Sequence, residues 1–272
     1  MKVGYLGPKG TFSYEICKKT YDETIEKIPF NTIKETIVAL KNGCIDEVIV
    51  PIENSLQGCV TETIDTLIQN ENIIIYEEKI LKIKQNLMAR EIYKFEEIKE
   101  VYSHPQALAQ CREYIQEHLK NARIIETAST ALAAEYASKK ENTACICNIE
   151  CIQEYNLKLI KENIQDNNFN ETKFWILGNK TRKIENTNKM TMIFSTQNKP
   201  GALYKVLSIF DKNNLNLTKI ESRPAKTKLG EYYFLIDIEI KDDNYINAIN
   251  ELNNVAGFYR ILGKYQNKQN EN

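Results

Sequence analysis

The stretch IVPIENSLQG, residues 49 to 58, decides how this chain is read. Val48-Ile49-Val50 is an apolar run ending at a proline, the pattern of a short strand buried on both faces. After Pro51 come a carboxylate (Glu53), an amide (Asn54), a hydroxyl (Ser55), a second amide (Gln57) and a glycine (Gly58), and then a helical pattern. A strand, a turn dense in small hydrogen-bonding groups and a helix make one βα unit.

The arrangement occurs three more times. Lys2-Val3-Gly4-Tyr5-Leu6 leads into GPKGTFS and a helix with Phe12, Ile16 and Cys17 on one face. Glu100-Val101-Tyr102 leads into SHPQALAQC and a helical stripe of Leu108, Cys111, Ile115 and Leu119. Arg123-Ile124-Ile125 leads into ETAST and ALAAEYA. Repeated βα units predict an α/β fold with mostly parallel sheets. In such sheets ligands bind beyond the carboxyl ends of the strands. Each turn also opens a helix, where free backbone N–H groups and the helix dipole favour an anion. Pro105 suits a first helical turn, because its missing N–H would have been unpaired there.

Any one of Ser13, Ser55, Ser129 and Thr130 is an ordinary helix cap. Four such turns in succession predict a polar cleft that holds an anion with several oxygens by neutral donors rather than by an arginine cluster. Gly4, Gly7 and Gly10 lack the G-x-G-x-x-G spacing and Pro8 removes an N–H, so no dinucleotide is expected. Between the turns, ENIIIYEEKILKIKQNLMA places Ile80 and Ile83 among lysines, which predicts a surface strand or a crossover. The polar loop from Asp166 to Lys173 precedes an apolar strand, Phe174–Leu177, and is expected to wall the cleft as the chain crosses back. The architecture is two lobes with a polar cleft between them.

With 272 residues, 42% hydrophobic and 27% charged, the chain can bury a substantial core. A net charge of -1 argues against nucleic-acid binding. No stretch approaches the roughly 18 apolar residues of a membrane span, and MKVGYLGPKGTFS has no apolar signal core, so a soluble cytoplasmic protein is expected. The seven cysteines are an odd number and suit a reducing compartment. Cys145, Cys147 and Cys151 invite a zinc reading, but a strand through TACICNI puts the first two sulfurs on one face, and core packing is expected instead.

TRKIENTN, residues 181 to 188, is polar and aperiodic, a linker. Beyond it, strands at Met190–Phe194, Leu215–Ile220, Tyr232–Ile238 and Phe258–Leu262 alternate with helices carrying Leu203, Val206, Leu207 and Phe210, then Tyr245, Ile246, Ile249 and Leu252. The order βαββαβ is the ferredoxin-like plan. About 75 residues is small for a self-sufficient core, so pairing with another copy is expected. Pro200-Gly201-Ala202-Leu203 is a turn without bulky side chains, open to an amino acid's carboxylate and ammonium.

Taken together, GPKGTFS, PIENSLQGCV, SHPQALAQC, TASTALAA and NETKF resemble the signature blocks of the prephenate dehydratase family, in order along nearly the whole chain. The C-terminal part resembles an ACT regulatory domain, with GAL at 201–203 and ESRP at 221–224. The resemblance implies a two-lobed, periplasmic-binding-protein-like catalytic domain over 1–180, with lobes of about 1–78 plus 165–180 and about 79–164. An ACT domain over 189–266 and a polar tail over 267–272 complete it. Because the chain opens on the first block, it resembles the monofunctional form.

The implied reaction is loss of water and carbon dioxide from prephenate to give phenylpyruvate, with no cofactor and no metal. By position Thr172 matches the family's catalytic threonine. Thr11, Ser13, Asn54, Ser55, Gly58, His104, Gln106, Thr127, Ser129, Thr130 and Lys173 are the expected substrate contacts. Lys173 stands where the family usually has arginine, which keeps the charge and loses the bidentate fork. Glu53, unfavourable beside a dianion, is expected to orient a neighbour or pair with a lysine. Feedback by phenylalanine at an ACT interface would use Gly201, Ala202, Leu203, Glu221, Ser222 and Arg223, in a homodimer or homotetramer. The rival readings are an arogenate dehydratase and a non-enzymatic amino-acid sensor.

Overall fold

Strand β1 (Lys2–Leu6) runs into helix α1 (Phe12–Thr20), whose N-cap Thr11 accepts from the Tyr14 amide at 3.2 Å. The chain continues through β2 (Glu26–Phe30), α2 (Ile33–Lys41), β3 (Glu47–Asn54), β4 (Gly58–Cys59), α3 (Thr61–Ile68) and β5 (Ile74–Lys82). Next come β6 (Asn86–Ala89), β7 (Glu100–Ser103), α4 (Pro105–Gln110), α5 (Arg112–His118), β8 (Arg123–Glu126) and α6 (Thr130–Lys139). They are followed by β9 (Thr143–Cys147), α7 (Cys151–Tyr155), β10 (Lys158–Lys161) and β11 (Glu171–Gly178). The C-terminal elements are β12 (Lys189–Ser195), α8 (Ala202–Lys212), β13 (Leu217–Pro224), β14 (Tyr232–Glu239), α9 (Asn244–Leu252) and β15 (Phe258–Tyr265).

This computed structural model describes residues 1–180, 182, 184–226, 228 and 230–267. Thr181 and Lys183 of the expected linker, and the expected tail from residue 268 on, lie outside the described residues. The chain forms two compact units, Met1–Thr63 with Lys79–Phe174 and Ile64–Glu78 with Trp175–Asn272.

One sheet has the order β2-β1-β3-β11-β5, with β4 on β3. The chain re-enters the first unit within β5, at Lys79, and leaves it within β11, after Phe174. The other sheet of the first unit has the order β10-β6-β9-β7-β8. The strands of the repeated βα units pair in parallel, β1 with β2 and β3, and β7 with β8 and β9. β6 runs antiparallel to both β9 and β10.

The lysine-flanked stretch is both: Ile80 lies on β5, an edge strand, and the chain then crosses over at Ile83–Gln85. β5 belongs to one sheet and β6 to the other. Ile83 and the run Leu87-Met88-Ala89 are buried.

The second sheet shows the period-two logic of a strand buried on both faces. Leu87, Ala89, Val101, Ala144 and Ile146 pack with Ala107, Leu108 and Cys111. Met88, Tyr102, Cys145 and Cys147 pack on the other side with Ala133, Ala134 and Ala137 of α6 and with Cys151. The Cys145 and Cys147 sulfurs lie 3.5 Å apart in this core, and burial pushes the Cys147 thiol well above its ordinary range.

The helical stripe from Leu108 to Leu119 is not one helix. It breaks at Cys111 (φ -119°, ψ 23°), because Asp166 intrudes. The Asp166 amide donates to the Gln110 carbonyl at 2.7 Å, and its carboxylate accepts from the Glu113 and Tyr114 amides at 3.1 and 3.3 Å. A carboxylate at a helix N-terminus is favoured by the dipole.

In the second unit the sheet β13-β14-β12-β15 is antiparallel throughout. Met190, Met192 and Phe194 of β12 meet Val206, Ile209 and Phe210 of α8 and Ala248 and Leu252 of α9. Two details depart from the pattern. Ile220 on the edge strand β13 is exposed, although the register shift between Leu217 and Lys219 pairs it with the buried Ile236, and Ile246 stands outside the buried face of α9.

Candidate active site

All four polar turns line one cavity of about 420 Å³ in the first unit. Thr11, Phe12 and Ser13 come from the turn after β1, Asn54 and Gln57 from the turn after β3. His104, Gln106 and Gln110 come from β7–α4, and Ala128, Ser129 and Thr130 from β8–α6. Thr172 and Phe174 of β11 and Ile83 and Gln85 of the crossover close it. No lysine, arginine, aspartate or glutamate is among the described residues of this lining.

The positive potential comes from backbone. Helices α1 and α6 both begin at the cavity wall, and the N–H groups of their first two residues have no acceptor within the helix. Ser129 caps α6 by accepting from the Leu132 amide at 3.0 Å, which leaves its own O–H to donate elsewhere. The Thr11 hydroxyl is already engaged, donating to the Leu6 and Pro8 carbonyls at 3.0 Å each.

Asn54 is the hub of the site. Its Oδ1 accepts from the Leu56 and Gln57 amides at 3.1 and 3.2 Å, which fixes the orientation of the side-chain amide. Its Nδ2 then donates to Asn170 Oδ1 (2.8 Å), the Glu171 carbonyl (3.2 Å) and Thr172 Oγ1 (3.0 Å). The Thr172 hydroxyl therefore accepts from Asn54 and keeps its proton available. Residues 171–173 belong to strand β11 rather than to the loop expected there. Two-residue alternation turns Thr172 to the cavity and Lys173 to the opposite face.

His104 caps α4, with Nδ1 accepting from the Gln106 amide at 3.2 Å. A neutral imidazole in that bond carries its proton on Nε2.

Four of the expected contacts do not line the cavity. Ser55 is a clamp: its hydroxyl donates to the Phe169 carbonyl at 2.9 Å and accepts from the Glu171 amide at 3.0 Å. Gly58 has φ 77° and nothing within 4 Å of where a Cβ would stand, so the backbone angle, not space, calls for glycine. The Thr127 hydroxyl donates to the Ser129 carbonyl at 2.9 Å. Lys173 pairs with Glu53 at 3.2 Å, across β3 and β11. Lys173→Met is accordingly expected to change KM by less than about threefold, because this partly exposed ion pair points away from the cavity. Steady-state kinetics checks this; a rise of tenfold or more would return Lys173 to the substrate.

Sequence reading passed over Asn31, Gln85 and Gln110, which line the cavity too. Gln110 was within reach, because it follows Gln106 by four residues on one helix face. Gln85, between a lysine and an asparagine at a strand start, carries no sequence signal.

The family model for prephenate dehydratase matches residues 3–182 and the model for the ACT domain matches residues 190–257. A prephenate dehydratase of Lactococcus lactis subsp. cremoris is 37% identical over 97% of this chain and 97% of its own length. One of Methanocaldococcus jannaschii is 39% identical with the same coverage of both chains. Among solved structures, prephenate dehydratase from Arthrobacter aurescens in complex with L-Phe superposes with a TM-score of 0.89 at 31% identity, covering 98% of this chain and 90% of that one.

The chain belongs to the prephenate dehydratase family.

Its ACT domain carries the residues expected to bind an effector. Gly201 is the N-cap of α8 with φ 75°, and Ala202 and Leu203 form the first turn of that helix. Glu221, Ser222 and Arg223 lie on β13, an edge strand. Arg223 is engaged in a bidentate pair with Asp65 of α3, Nε to Oδ1 at 2.9 Å and Nη2 to Oδ2 at 3.1 Å, and Lys226 joins at 2.7 Å. Hydrogen bonds from Arg223 hold the Asp65 carboxyl below the usual carboxylate range.

Among the described residues no group of three or more His, Cys, Asp and Glu side chains could hold a metal ion. No helix among them is long and apolar enough to cross a membrane.

Proposed function

We propose that this cavity binds prephenate and converts it, with one proton, into phenylpyruvate, carbon dioxide and water. The observation that carries the reading is a cavity of neutral donors and two helix N-termini built around the Asn54–Thr172 pair. Prephenate is a dianion rich in acceptors, and such a lining satisfies it without a buried cation. The ring carboxylate leaves as carbon dioxide, its bonding electrons aromatise the ring, and the C–O bond breaks. The departing oxygen takes up a proton and leaves as water.

Thr172 is the group we assign to the departing oxygen. With Oγ1 accepting from Asn54 Nδ2, its O–H is free to donate toward the cavity. A threonine hydroxyl is a poor acid, so it orients the leaving group and passes a proton rather than losing one outright. Nε2–H of His104 is the second donor on the same wall. Ser13, Gln106, Ser129 and Thr130 orient the two carboxylates, and Thr11 holds its turn through the Leu6 and Pro8 carbonyls. Ser55, Gly58, Thr127 and Lys173 support the walls.

Prephenate fits better than arogenate, whose ammonium would find no carboxylate among the described lining residues. We assign 1–180 to catalysis and 189–266 to regulation, with phenylalanine as the effector bound near Gly201–Leu203 and the strand of Glu221, Ser222 and Arg223. The Arthrobacter structure holding L-Phe supports that effector. A homodimer or homotetramer in the cytoplasm completes the proposal.

The test is phenylpyruvate formation by the purified protein from prephenate. Turnover is expected, slower by at least about tenfold with arogenate and reduced by phenylalanine. The Asp65→Asn variant, which breaks the bidentate pair with Arg223, is expected to raise the phenylalanine concentration for half-inhibition by roughly 5- to 100-fold, the range of ordinary coupling energies. Folded protein that binds phenylalanine and never turns prephenate over would instead be a sensor.

A further inference from the structure

Every polar group of the prephenate dianion accepts hydrogen bonds, and only one also donates. Its two carboxylates and its ketone accept; only the ring hydroxyl donates. A cavity built for it needs donors nearly everywhere and an acceptor at one place.

Gln85 is placed to be that acceptor. It lines the cavity and is 2% exposed. Its Nε2 donates to Gln110 Oε1 at 3.0 Å, and its buried Oε1 has no protein partner. A buried carbonyl oxygen left without a donor is destabilising, and such an orphan in a native fold calls for an explanation. The residue does not drift to relieve this, because its backbone is held on both sides. The Gln85 amide donates to Gln165 Oε1 at 2.9 Å, and the Gln85 carbonyl accepts from the Ile164 amide at 2.9 Å.

We infer that Gln85 Oε1 accepts a hydrogen bond from the substrate hydroxyl, the group lost in the reaction, and that Gln110 is the positioning residue that sets the Gln85 amide. This rests on the assignment of prephenate to the cavity. The bond does more than hold the substrate. As the departing oxygen gains a proton and becomes water, its O–H groups become stronger donors, so the contact tightens toward the transition state and raises kcat. It also fixes the hydroxyl rotor, leaving the oxygen lone pairs facing the donor that protonates them.

The experiment compares wild type with Gln85→Met, which keeps length and shape and removes the acceptor. Two quantities are measured: kcat for prephenate, and the inhibition constant of phenylpyruvate, which lacks the hydroxyl. The expected result is a fall in kcat of about 10- to 100-fold, the effect of one lost hydrogen bond, with the phenylpyruvate constant within about threefold of wild type. Gln110→Met should show a smaller fall of the same kind. A Gln85→Met enzyme with kcat within threefold of wild type, or one whose phenylpyruvate affinity falls in step with kcat, overturns the inference.

Should Gln85→Met lose its cooperative melt, Gln85→His carries the test, because its imidazole keeps an acceptor nitrogen. At least a third of wild-type kcat supports the inference, and a tenfold loss in folded protein overturns it. Failure of the underlying assignment looks different, since wild type itself would then make no phenylpyruvate.

Discussion

Thr172→Val lowers kcat for phenylpyruvate formation by ~10²–10⁴-fold, the span of a positioned proton-transfer group. Valine keeps the branched shape that strand β11 favours. It removes only the hydroxyl. Asn54 Nδ2 still has Asn170 Oδ1 at 2.8 Å and the Glu171 carbonyl at 3.2 Å, so the hub stands and the melt should move by about 1 kcal/mol or less. KM should stay within a few-fold, because the threonine acts on the departing oxygen rather than on the carboxylates. Thr172→Ser restores the hydroxyl and should recover most of the rate. A Thr172→Val enzyme that turns over at wild-type speed would move the proton to His104, and His104→Leu would then show the loss.

The largest effect on stability is expected at Lys189. Its ammonium is buried between Glu78 at 2.8 Å and Asp237 at 2.9 Å, with all three side chains 6% exposed or less. Thr191 and Tyr265 complete the network: Thr191 Oγ1 lies 2.7 Å from Asp237 Oδ1 and 2.7 Å from the Tyr265 hydroxyl. Lys189→Met leaves two buried carboxylates without their cation, and breaking a buried pair in this way costs about 3–5 kcal/mol. Chemical denaturation of the variant, followed through the transition of the second unit, checks the value. Glu78→Gln and Asp237→Asn placed on top of Lys189→Met should recover part of the loss, because neutral amides are less costly to bury.

The pH dependence has a definite sign. Burial by itself would lower the Lys189 pKa, but Asp237 and Glu78 more than offset it and hold the ammonium above its ordinary value. A cation whose pKa is raised by folding contributes its stability fully below the unfolded value of about 10.4 and loses it as pH rises through the folded one. The Lys189 contribution is therefore constant from neutral pH to about pH 9 and falls only in stronger alkali. A loss beginning near neutrality would show that the network does not hold the charge described.

Sequence by itself determined the repeated βα units, the ferredoxin-like order of the second unit and the four polar turns. It did so because each depends on local rules: period-two burial, helix caps and the apolar stripes of α1, α6 and α8. It also put the Cys145 and Cys147 sulfurs on one face of a strand, packed in the core where they lie.

Tertiary structure alone decided which polar groups face the cavity. Lys173 and Thr172 are neighbours in sequence, yet strand β11 starts at Glu171 and turns them to opposite faces, one to Glu53 and one to Asn54. Ser55 resembles its neighbour Asn54 as a hydrogen-bonding turn residue, but the return of residues 169–171 claims its hydroxyl. Gln85 becomes a cavity wall only because the chain crosses between two sheets there, and Asp65 meets Arg223 across 158 residues of sequence. Caps and periodicity are set by neighbours a few residues away. The partner of a side-chain oxygen is set by which distant strand packs beside it, and no local pattern encodes that.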